Sequence, residues 1–172
     1  MNPFVVVPTL LAAALLALPQ DPDAAQNGER LQRTLQATKL SFEKMPSGRS
    51  YKLTYGHEKD RKQVVYVGIA ANRPLDLVVH SVYTTVWLGE DFPDAALLHE
   101  VFGKSLKMGA FYLFENERSW SIRLGASFDA TGLAEGTMTQ EQATARLEET
   151  IEFVNAVGEE VDAELNGDRD VR

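Results

Sequence analysis

Apolar side chains recur along this chain at helical and at two-residue spacings, and each spacing predicts a different element. From Ser119 to Phe128, Trp120, Ile122, Leu124, Ala126 and Phe128 alternate with Ser119, Ser121, Arg123, Gly125 and Ser127. This period of two predicts a strand with one face in the core and one in water. Tyr51, Leu53 and Tyr55 alternate with Lys52 and Thr54 in the same way. Gln63 to Ala70 is apolar on both faces and reads as a central strand, and Leu75 to Leu88, rich in Val, Thr, Tyr and Trp, as a long one after the turn Asn72-Arg73-Pro74. These three form an antiparallel meander. Ala110 to Phe114 reads as a further strand, joined to Ser119–Phe128 through Glu115-Asn116-Glu117-Arg118.

Helical spacing appears three times. Leu31 and Leu35 lie one turn apart, with Thr38 continuing their face, in a helix predicted from about Glu29 to Lys39 and capped by Asn27. Pro46-Ser47-Gly48 then turns the chain. A second helix is signalled by Pro93 in its first turn, Asp94 at the positive end of its dipole and Gly109 just past its end. Its apolar stripe is Leu97, Leu98, Val101, Phe102 and Leu106. Thr139 followed by Gln142 is a capping box, opening a last helix that runs to about Leu165. Leu147, Ile151, Val154, Val161 and Leu165 line it, with Gly158 in the gap. That stripe suits packing on a sheet better than a dimeric coiled coil, because three heptads are marginal and Gly158 weakens the middle. The fold class that results is α+β, an antiparallel sheet of about five strands packed with three helices in the order α-β-β-β-α-β-β-α.

The N-terminus is organised differently. Phe4 to Leu18 is an almost unbroken apolar run, short for a bilayer-spanning helix of roughly 20 residues and suited to the core of a secretory signal. It implies an exported protein, periplasmic or secreted, with a signal peptide over residues 1–20 cleaved near Leu18 to Gln20. No Lys or Arg precedes the run, and Pro8 interrupts it. Left uncleaved, the same segment would anchor the domain to a membrane. Asp21 to Gly28 is small, acidic and polar and reads as a linker, residues 29–166 as the folded domain and 167–172 as a frayed tail.

Composition narrows the chemistry. The 172 residues carry a formal charge of -8, and none of it lies before Asp21. That balance argues against a nucleic-acid partner, which is held by cations on phosphates, and the basic cluster from His57 to Lys62 is interrupted by Glu58 and Asp60. Without cysteine there is no disulfide, thiol nucleophile or thiolate-bound zinc. The three histidines, His57, His80 and His99, are not paired at ligand spacing, so no metal or other cofactor is expected. Ser127, Asp129 and Thr131 place hydroxyls near a carboxylate but lack a nucleophile turn or an associated histidine, and read as turn and helix-entry hydrogen bonding. Glu90-Asp91 and Glu159-Glu160 lie in a turn or on a wet helix face, and the glycines from Gly132 to Gly136 lack the lysine of a phosphate loop. No catalytic residue is assigned.

The order of elements over Glu29 to Leu165 resembles the YbjN family, whose fold is that of the type III secretion chaperones. Leu106-Lys107-Met108-Gly109-Ala110-Phe111-Tyr112-Leu113 is similar to that family's passage from helix to strand, and Asp129-Ala130-Thr131-Gly132-Leu133 to its last strand-to-helix junction. The resemblance implies a binding module that holds partner segments against a sheet or helix surface, and it brings no catalytic residue. An export signal departs from the cytosolic chaperones.

Two functions follow as expectations. The first is a non-enzymatic protein-binding module, chaperone-like or regulatory, contacting an unidentified protein partner through the wet sheet face around Lys52, Thr54, His80 and Arg123, or through a strip on the last helix. Homodimerisation through helices or a sheet edge is compatible with it. The alternative is a small-ligand-binding protein or enzyme with an aromatic-lined pocket near His80, Tyr83, Trp87 and Trp120.

Overall fold

A computed structural model describes residues 23–56, 62–70 and 77–166. The fold is α+β: a six-stranded antiparallel sheet with four helices. In chain order the elements are α1 (Ala24–Ala37), β1 (Phe42–Lys44), β2 (Ser50–Gly56), β3 (Lys62–Gly68), β4 (Val79–Gly89), α2 (Ala95–Phe102), β5 (Ala110–Asn116), β6 (Ser119–Asp129), α3 (Thr131–Glu135) and α4 (Gln140–Asn166). The strands lie side by side as β1-β2-β3-β4-β6-β5. The predicted meander is therefore present, and the later hairpin joins it through β6, which leaves β5 on the edge.

The inner face of the sheet is the core. Tyr51, Leu53, Val65, Val67, Val82, Ala126 and Phe128 pack with Leu31 and Leu35 of α1 and with Leu147, Ile151 and Val154 of α4. Val86, Ile122, Leu124 and Phe111 meet Val101 of α2 and Val161 of α4, and Phe153 touches both clusters. Each fully buried aliphatic side chain contributes about 1.5–3 kcal/mol, so the helices are held on this face by area removed from water. The capping box is formed: the Thr139 N–H donates to Gln142 Oε1 at 2.9 Å and the Gln142 N–H to Thr139 Oγ1 at 3.2 Å.

Several boundaries differ from the sequence expectation. Helix α1 starts at Ala24, so most of the expected linker is helical. Asn27 lies inside α1, where it is buried and accepts from Arg30 Nη1 at 3.1 Å, and it is not the cap. The helix ends as Lys39 turns into the left-handed region at φ 61°. Helix α2 starts after Asp94, whose Oδ1 accepts from the Leu97 N–H at 2.8 Å, and it stops at Phe102, well short of Gly109. Gly109, at φ 76°, is the entry to β5 and presses on the Gly125 backbone. Strand β1 and helix α3 were not anticipated; one is three residues long and the other five, too short for a periodicity to register. The signal peptide expected over residues 1–20, with its cleavage near Leu18 to Gln20, the loop histidine His57 and the tail from Gly167 lie outside the described residues. Among the described residues no helix is long and apolar enough to cross a membrane.

Candidate functional site

Helices α1, α2 and α4 all pack on the inner face, so the candidate surface is the opposite one. The register fixes its members. Lys52 pairs with Tyr66, Tyr66 with Tyr83, Thr85 with Arg123, and Arg123 with Tyr112. Because side chains alternate across a strand, these positions all project to the side away from the core. Arg123 was predicted there and is there, as are Lys52 and Thr54.

His80 is not. It belongs to the inward set of β4 with Val82, Thr84 and Val86, is 1% exposed, and stacks on Phe128 with ring centroids 6.2 Å apart. Its Nδ1 lies 3.1 Å from the Gly68 carbonyl oxygen, which only accepts, so Nδ1 carries the proton. Burial holds its pKa below the ordinary 6.5, against smaller opposing contributions from the Gly68 and Ile69 backbone. His80 is a neutral core histidine, and the expected contact face loses it. The long strand hides this in the sequence, since Val79, Ser81, Tyr83 and Thr85 look no more polar than His80, Val82, Thr84 and Val86.

The aromatic pocket expected around His80, Tyr83, Trp87 and Trp120 is likewise dispersed. Tyr83 is on the open face, His80 is under Phe128, Trp87 packs on the α2 side of the core, and Trp120 meets Phe92 edge-on at 5.0 Å. Among the described residues no group of three or more His, Asp or Glu is placed to hold a metal ion.

What the open face does carry is a stacked ladder across four strands. The Tyr66 and Tyr83 rings stack at 5.3 Å. The Arg123 guanidinium lies 5.2 Å from the Tyr83 ring centre and 3.7 Å from that of Phe114. Both distances fall within cation–π range, worth about 0.5–2 kcal/mol each. Gly125 makes room for the neighbouring Tyr112, whose Cε1 would stand 2.7 Å from a Cβ there. Burial pushes the Tyr83 and Tyr112 phenols up, only partly opposed by the Arg123 charge, so both stay protonated at neutral pH. Tyr112, Phe114 and Leu88 remain 37%, 40% and 45% exposed. Large apolar side chains left in water together mark a contact surface more often than isolated ones do.

Beside the ladder runs a half-open groove of about 320 Å³, lined among others by Lys52, Tyr66, Thr85, Asn116, Ser121 and Arg123. Among the described residues no acidic side chain lines it. Lys52 is paired with Glu43 at 3.2 Å. Arg123 has no ion-pair partner among the described residues, and its Nε is buried without a hydrogen bond. The aromatic members, Tyr66, Tyr112 and Phe114, were missed in the sequence because they sit on strands whose two faces are both apolar; only the pairing of β4 with β6 brings them around Arg123. Comparison with protein-family models, with curated proteins and with solved structures finds no match to this chain.

Proposed function

We propose that this is an exported, non-enzymatic protein-binding module that holds its partner on the face of the sheet opposite the described helices. The observation that carries the reading is the ladder Tyr66–Tyr83–Arg123–Phe114, with Tyr112 and Leu88 exposed beside it. The few residues that carry most of the binding energy at protein interfaces are enriched in tyrosine, tryptophan and arginine. The apolar N-terminal run from Phe4 to Leu18 supports the exported location, and the resemblance of the element order over Glu29 to Leu165 to that of the YbjN family supports a binding role.

Photo-crosslinking in the producing cells tests the binding surface. With p-benzoylphenylalanine in place of Thr85, on the open face, a discrete adduct with another protein is expected, and it is lost when Tyr112→Ala and Phe114→Ala are added. The same probe in place of Glu149, on the outer side of α4, gives none. Equal labelling from both positions, or none from Thr85, overturns the reading. Fractionation with N-terminal sequencing tests the location, and a mature terminus near residues 18–20 is expected.

A further inference from the structure

Negative charge is concentrated on one helix of this protein. Helix α4 alone holds eight carboxylates against Arg146, a net of -7 out of the chain's -8. The groove on the other side is lined by Lys52 and Arg123 and, among the described residues, by no carboxylate. An acidic ligand is therefore repelled by α4, while the groove offers it Arg123, Lys52 there being already paired with Glu43.

Arg123 is held in an unusual way. A cation on a strand of an acidic protein ordinarily finds a carboxylate, yet this one is clasped between the Phe114 and Tyr83 rings and meets no counter-charge among the described residues. Ring contacts occupy the flat faces of a guanidinium; Tyr112 hydrogen-bonds Arg123 at its edge and Nε is buried, and the remaining in-plane N–H groups are donors suited to a carboxylate. The Thr85 and Ser121 side chains and Asn116 border the same groove and add short polar groups.

We propose that this groove is a receptor for the carboxylate side chains of an acidic, extended peptide segment, with Arg123 as the anchoring cation. The proposal rests on the binding-module reading and deepens it by naming the partner's chemistry. A peptide suits the shape better than a free small acid. Sites for small molecules enclose most of their ligand, whereas this groove is half-open along the sheet and bordered by exposed Leu88 and Phe114, over which a peptide backbone lies while one side chain reaches in.

Titration of the full-length protein by amide NMR tests it, with three probes: acetyl-hexaglutamate amide, the equivalent hexaglutamine peptide, and succinate. The glutamate peptide is expected to shift the Thr85, Asn116, Ser119 and Ser121 amides saturably and with salt sensitivity, and the glutamine peptide to leave them unmoved. Arg123→Gln should weaken binding at least about tenfold, in line with loss of a charge-assisted pair, and Arg123→Lys, which keeps the charge but not the fork, by less. Salt sensitivity and the glutamate-to-glutamine contrast are read on the wild-type chain, so the test survives a variant that fails to fold. Equal response to both peptides, shifts confined to other surfaces, no response, or binding of succinate without the peptide each overturns the proposal. A Thr85 adduct in cells together with a failed titration leaves the binding module standing without its acidic specificity, whereas loss of both removes the reading itself.

Discussion

Gly158 of α4 lies directly over Thr84 of β4: a Cβ at Gly158 would stand 2.5 Å from Thr84 Cγ2 and 2.9 Å from Gln63 Nε2. Beneath it, Gln63 donates to Thr84 Oγ1, which in turn donates to the Val64 carbonyl at 2.6 Å. A residue that looks like a weakness in a long helix is thus a point where helix and sheet approach too closely for a side chain.

Gly158→Ala sets two effects against each other. Alanine gains about 1 kcal/mol of helix propensity over glycine. Overpacking against a β-branched threonine and a bonded glutamine in mid-sheet costs about 1–3 kcal/mol. The clash is with side chains held by hydrogen bonds, so the net expected effect is destabilisation by up to about 2 kcal/mol in urea unfolding. A variant more stable than the wild type would show that α4 lifts off β4 without cost.

His80 gives the fold a pH dependence of known sign. Its folded pKa lies below 6.5, so the unfolded chain binds the proton more readily. The stability is fully present above pH 6.5 and falls as pH drops below it, by at most about 1.4 kcal/mol per pH unit for one group. His80→Phe removes the titration while losing the bond to Gly68. Its stability is expected to change less than that of the wild type between pH 7.5 and 5.5. Equal slopes for the two proteins would show that His80 is protonated without cost.

Thr139→Ala deletes one half of the capping box, leaving the Gln142 N–H without its acceptor and α4 without its cap. Loss of such a cap costs about 1 kcal/mol. A lower urea midpoint with an unchanged m-value is expected, because the same surface is exposed on unfolding. No change in midpoint would mean that the first turn of α4 frays in the folded state.

Local signals carried much of this fold in the sequence. The alternation in β6 placed Ile122, Leu124, Ala126 and Phe128 inward, and they are buried. Thr139 and Gln142 marked the start of α4, and Leu147, Ile151, Val154 and Val161 its buried stripe. Each of these depends on neighbours within one turn or one strand, where spacing alone settles which side a residue takes. Asn27 misled for the same reason. An asparagine after a polar run has the look of a cap, but burial against the core carried α1 one turn further back.

The sequence by itself therefore determined the fold class, most of the elements, the acidity of the chain and its lack of cysteine chemistry, since composition and short-range periodicity act without knowledge of what lies opposite. Only the tertiary structure decided which face of β4 is inside, because both faces are equally apolar and the choice falls to Gly68 and Phe128, which receive His80, and to Val64 and Gln63, which satisfy Thr84. The tertiary structure also assembled Tyr66, Tyr83, Arg123 and Phe114 into one ladder. Those four residues come from four strands, and cross-strand register, a long-range property, is what makes them neighbours.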